Sequence, residues 1–222
     1  MRKTLALVAA VAWLALPVTA ATGEAAQTYD LLFRQGTLDE VNRDAALHYT
    51  RAVTNRANPE TAERDTGEIV LSFAEGEAVL ANLQFLQDGK HRNLGSFPAS
   101  VGNPMIMYFY ESVIRDMAES SGGSPFYIRN RVKEALVRPA EIEEGEVVFD
   151  GRTVMTRTVT LRPFADDPNR ARMKGFGDLE LRVVMSDAVP GWYLALVAEA
   201  PDAQGSAGGY RSELRFDAVA GQ

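Results

Sequence analysis

Two histidines, His48 and His91, are all the imidazole in this chain of 222 residues, and it contains no cysteine. Without cysteine there is no thiol nucleophile, thiolate zinc site or iron–sulfur cluster, and no His-Glu-x-x-His pair offers a metal site. No metal and no cofactor are expected. A serine hydrolase would present a Gly-x-Ser-x-Gly elbow, which is absent; Gly122-Gly123-Ser124-Pro125 reads instead as a helix stop followed by an N-cap. His48 points away from Leu47 and Tyr49 on its strand, toward solvent. No catalytic residue is assigned. The alternative is a hydrolase using His91, from "QDGKHRN", with a nearby serine or carboxylate.

Two polar clusters remain. "ADDPNRARMKGFG" brings Asp166, Asp167 and Asn169 together, but calcium loops place ligands at alternate positions with a distal Glu, so Asp167-Pro168 reads as a cap and first-turn pair. Arg129, Arg131, Lys133 and Arg138 form a basic cluster suited to a phosphate or carboxylate, or to a solvated face. It directly follows six large apolar residues, Met105 to Tyr110, in "NPMIMYFYESVIRDMAESSGGSPFYIRNRVKEAL". One reading makes this stretch core. The other makes it a ligand site in which Met107, Tyr108 and Tyr110 line an apolar pocket while Arg129, Arg131 or Lys133 hold the polar end.

The elements around this stretch follow from periodicity. Asn103 and Pro104 start a helix with Ile106, Phe109, Tyr110, Val113 and Met117 on one stripe, and Gly122 stops it. The extra Met105, Met107 and Tyr108 leave so little polar face that its first turns should be covered on nearly all sides. Ser124-Pro125 opens a second helix, giving a helical insertion over about 103–137. Elsewhere the period is two: strands containing Leu47 to Val53, Ile69 to Phe73, Val79 to Gln87 and Lys90 to Phe97 precede the insertion. Those at Glu141 to Phe149, Arg152 to Leu161, Leu179 to Met185, Trp192 to Leu196 and Tyr210 to Phe216 follow it. Asp88-Gly89 and Asp150-Gly151 are two-residue hairpin turns. Tyr29 to Gln35 reads as a short helix, Thr37 to Glu40 as a capping box, and Asn55 to Asp65 as a polar loop. The fold class is α+β: a curved, mainly antiparallel sheet of about nine strands whose concave face the helical insertion covers.

The address is read from the first residues. Arg2 and Lys3, the apolar run Leu5 to Leu16, and Val18-Thr19-Ala20 have the form of a signal peptide over residues 1–20, leaving one domain over 21–222 and a periplasmic protein. No later apolar run approaches spanning length, so no transmembrane segment is expected after cleavage. The net charge of −7 disfavours nucleic acid as a partner.

The segments "NPMIMYFYESVIRDM", "GGSPFYIRNRVKEAL" and "DDPNRARM" resemble a family of uncharacterised exported (periplasmic) proteins of Gram-negative bacteria. The resemblance implies a periplasmic address and brings no reaction, cofactor or catalytic residue. In architecture alone, strands, a helical insertion and more strands are loosely similar to the incomplete barrels of periplasmic lipoprotein carriers. The function expected is therefore a non-catalytic binding or interaction protein of the cell envelope, for a hydrophobic or lipid-like ligand or an envelope protein.

Overall fold

A computed structural model describes residues 20–22, 24–74, 76 and 78–221, so the expected leader lies outside the described residues apart from Ala20. The chain runs β1 (Ala20–Thr22), α1 (Ala25–Leu32), β2 (Ala45–Asn55), α2 (Pro59–Asp65), β3 (Gly67–Ala74), β4 (Leu80–Gln87) and β5 (Lys90–Pro98). Then come α3 (Met105–Ser121), α4 (Pro125–Leu136), β6 (Glu141–Phe149), β7 (Arg152–Leu161), β8 (Glu180–Met185), β9 (Tyr193–Ala200) and β10 (Tyr210–Gly221). Among the described residues there are ten strands in one open antiparallel sheet, ordered β1-β6-β7-β8-β9-β10-β2-β3-β4-β5. The pairing of β10 with β2 joins two meanders, one on each side of the α3–α4 insertion.

The hairpin turns are as expected. Asp88 and Gly89 both have positive φ, 51° and 72°, as do Asp150 and Gly151, 48° and 71°, the conformation a type I′ turn demands. Register shifts at Leu83/Gln84, Val184/Met185 and Phe216/Ala218 add local twist and curl the sheet. The concave face carries Leu47 and Tyr49 of β2, Ile69 and Leu71 of β3, Leu83 of β4, Leu181 and Val183 of β8, Leu196 of β9 and Leu214 of β10, all fully buried. Against it pack Ile106, Phe109, Tyr110, Val113 and Met117, the stripe that the spacing predicts for α3.

Asn103 fixes where α3 begins. Its Oδ1 accepts the Met105 N–H at 3.0 Å, while its Nδ2 donates to the Gly191 carbonyl at 2.8 Å and to the Tyr49 hydroxyl at 3.1 Å. This N-cap is buried, so the helix start is tied to β2 and to the turn before β9. Gly191 must lack a side chain here, because a Cβ would meet Asn103 Nδ2 at 2.8 Å and Leu47 Cδ1 at 2.7 Å. At the other end Gly122, φ 75°, takes the left-handed conformation and donates to the Ala118 carbonyl.

The convex face is a charged ladder. Glu141, Arg162, Glu180, Arg182, Glu199, Arg211, Glu213 and Arg215 alternate in sign and pair in sequence from β6 to β10. Their stems lie over the middle of the sheet, and Val197 on this outward face of β9 is only 5% exposed.

Four local expectations are corrected. The first helix spans Ala25–Leu32 rather than Tyr29–Gln35. Thr37 to Glu40 forms turns and no capping box, because the Thr37 hydroxyl accepts the N–H of distant Asn103 at 3.1 Å. The stretch Asn55 to Asp65 contains α2, opened by Asn58-Pro59, the same cap-then-proline signature that starts α4. His48 is half-buried rather than solvated and contacts Glu68 across the β2–β3 pair. Asp167 does cap a turn, accepting the Asn169 N–H at 2.7 Å before the 3-10 turn Arg170–Arg172. Among the described residues no helix is long and apolar enough to cross a membrane.

Candidate functional site

The first turn of α3 is apolar on all sides, but the fold covers only part of it. Met105 and Ile106 are buried, whereas Met107 is 44% exposed. Beside Met107 lies a groove of about 580 Å³, walled by Tyr29 of α1 and Phe33 just after it, Phe97 and Pro98 of β5, Val101, and Leu136 and Val137 at the end of α4, with Tyr193 also lining it. Tyr29 is 47% exposed, Val101 64% and Val137 59%, so four large apolar side chains converge on one concavity. Val137 is stranded there because Pro139 prevents α4 from continuing.

The buried polar groups of the groove are already engaged. The Tyr193 hydroxyl donates to the Leu32 carbonyl at 2.6 Å, and the Asn103 amide is satisfied as described. Two cations border it. Arg34 pairs with Asp187 and stacks 4.5 Å over the Trp192 ring, while Lys133 is exposed and has no ion-pair partner among the described residues. A larger cleft of about 710 Å³ lies beyond Arg34, but it is lined by charged and turn residues such as Asp39, Glu40 and Asp187, and its one aromatic, Trp192, is buried.

Of the residues singled out from sequence, Met107 and Lys133 meet at the groove. Tyr110 lies behind it in the core, where burial pushes its phenol above its ordinary value and its hydroxyl has no hydrogen-bond partner among the described residues. Tyr108, Arg129 and Arg131 lie outside the groove lining. The Tyr108 hydroxyl accepts from Arg51 at 2.6 Å, Arg129 grips Glu111 at 2.6 and 2.8 Å, and Arg131 pairs with Glu134 and Asp167 while stacking on Tyr127. Tyr29, Val101 and Val137 were not singled out from the sequence. They stand far apart in the chain, and only the fold brings them together.

On the far side of α3 is a second constellation, built of charges. Arg51, on the apolar face of β2, is 1% exposed and lies 3.6 Å from the equally buried Asp116. Asp116 also accepts from Tyr210 at 2.9 Å and Arg115 at 3.2 Å, and Arg115 bridges to Asp65 at 2.7 Å. Burial holds the Asp116 carboxyl above the usual range despite Arg51 and Arg115. Burial also acts to raise Asp65, but the Arg64 hydrogen bonds and the charges of Arg115 and Arg51 outweigh it and hold that carboxyl low. The sequence carried a sign of this cluster: Arg51 interrupts an otherwise apolar strand face.

His91 stands exposed on edge strand β5 opposite Leu86, with no hydrogen-bonded hydroxyl or carboxylate among the described residues. It borders none of the concavities described.

No protein-family model matches the chain, and no curated protein matches it. A solved structure it is similar to is the lipoprotein LppX of Mycobacterium tuberculosis, at 11% identity and a TM-score of 0.35, covering 86% of this chain and 94% of that one. A likeness this distant carries no inference about function.

Proposed function

We propose that residues 1–20 are a leader removed on export and that the remaining chain is a periplasmic, non-catalytic binding protein of the cell envelope, whose ligand is hydrophobic or lipid-like and lies in the groove beside Met107. The observation carrying this reading is the convergence of Tyr29, Val101, Met107 and Val137 on one concavity of about 580 Å³. Exposed apolar side chains scattered singly need no explanation, whereas several around one cleft of 300–1,000 Å³ or so mark a ligand site. Against catalysis stands His91, which has no hydrogen-bonded nucleophile or orienting acid among the described residues.

An uncharged naphthylamine dye, fluorescent only in apolar surroundings, tests the groove. It should bind the protein, and Met107→Glu should weaken it by about tenfold or more, since the change sets a charge against an apolar wall. Native mass spectrometry of protein purified from the periplasm should show a co-purifying apolar molecule. Absence of dye binding, or binding indifferent to Met107→Glu, would sink the proposal. Turnover in esterase, phosphatase or glycosidase screens that His91→Ala abolishes would favour the hydrolase instead.

A further inference from the structure

We infer that the ligand of this groove is an anionic amphiphile, with its chain against Met107 and Val137 and its carboxylate or phosphate head at Lys133. The inference rests on the groove being a hydrophobic-ligand site. It is carried by charge. The chain has 30 acidic and 23 basic residues, yet the lining of the groove includes Arg34 and Lys133 and no Asp or Glu. In an acidic protein this is a cationic rim on an apolar wall.

The two cations differ in availability. Arg34 is engaged by Asp187 and Trp192. Every arginine on α4 is also engaged, Arg129 by Glu111 and Arg131 by Glu134 and Asp167, and Arg138 beyond its end lies 3.7 Å from Glu134. Glu111, the acid whose carboxyl Lys133 helps to hold low, is already doubly hydrogen-bonded by Arg129. That leaves the Lys133 ammonium one turn from Val137, free to meet a head group, while Tyr193 and Asn103 have no free donor to offer one deeper in the groove. A compact ammonium does not select between carboxylate and phosphate, so both heads satisfy the inference.

Four ligands with the same dodecyl chain decide it, each displacing the uncharged dye: dodecanoate, dodecyl phosphate, dodecanol and dodecyltrimethylammonium. At low salt one or both anions should bind about fivefold more tightly than dodecanol, the worth of one partly exposed ion pair, and whichever binds better names the head. Salt should erode this advantage. Lys133→Gln should abolish it, and Lys133→Glu should reverse it in favour of the trimethylammonium, each head group being compared with dodecanol in the same variant. Lys133 is exposed and has no ion-pair partner among the described residues, so neither variant should alter folding. Equal binding of all four heads, or an anion preference that survives Lys133→Gln, would overturn the inference and leave the hydrophobic groove standing. Failure of all four to bind would overturn both.

Discussion

The two flanks of α3 are built from opposite materials. Toward α1 and the end of α4 the helix shows Met107 to a groove with apolar walls, and one of the two cations there, Lys133, has no ion-pair partner among the described residues. Toward α2 and β10 it sends Arg115 and Asp116 into a cluster with Arg51, Asp65 and Tyr210, in which each carboxylate meets more than one donor. Burying charge this deeply is tolerable only when the charges answer one another, so the paired flank reads as structure. The groove flank leaves apolar surface wet and a charge unanswered, each an interaction that an incoming molecule could complete. Perturbed ionisation, usually a guide to active sites, here marks the charged flank, where burial in the cluster raises Asp116.

Breaking the closed flank should have the largest effect. Asp116→Ala removes the acceptor of the Tyr210 hydroxyl and leaves Arg51 buried, with Nε and Nη2 already lacking hydrogen-bond partners among the described residues. Denaturant unfolding should report a loss of about 3–5 kcal/mol. Replacing both members, Arg51→Met with Asp116→Leu, should cost less than Asp116→Ala alone, because no uncompensated charge remains. A single-variant loss below about 1 kcal/mol would show that water reaches the cluster, and the contrast between the flanks would fail.

Two neighbouring residues on α3 sharpen the same contrast. Ile106 is 1% exposed and Met107 44%. Ile106→Ala should destabilise the protein by about 2–5 kcal/mol, while Met107→Ala should stay within about 0.5 kcal/mol and instead weaken dye binding. Equal stability losses would mean that Met107 is core.

That pair also marks how far the sequence could be read. The strands, both Asp-Gly turns and the cap at Asn103 were legible because each is written within a few residues: alternation, positive-φ residues, a side chain able to hold its own helix start. Thr37 misled because its hydroxyl serves Asn103, 66 residues away. The α3 stripe was legible, but which of Met105 and Met107 stays uncovered depends on where α1 and Val101 come to rest. Likewise Arg129, Arg131 and Lys133 look alike in sequence. Only the placement of Glu111, Glu134 and Asp167 separates the two engaged arginines from the free lysine.

The smallest expected effect concerns acid, where Asp65 and Asp116 pull in opposite directions. Asp65, held below the ordinary carboxylate value of about 4, gives the fold stability that is present above its unfolded pKa and lost as pH falls through its folded one. Asp116 is held above that value, so the folded protein keeps this proton to a higher pH than the unfolded chain does. Its contribution is therefore present at low pH and lost as pH rises from the unfolded to the folded pKa. In the native protein the two slopes partly cancel across the carboxylate range. Asp116→Asn removes one of them and also the negative charge that faces Asp65, which should drop the Asp65 carboxyl further. Unfolding midpoints measured in steps down through this range should thus fall more steeply for Asp116→Asn than for the native chain, with Glu111, held low by its hydrogen bond from Arg129, adding to the same slope in both. Parallel acid profiles would mean that Asp116 ionises as freely in the folded protein as in the unfolded one, and that the flank described here as closed is open to solvent.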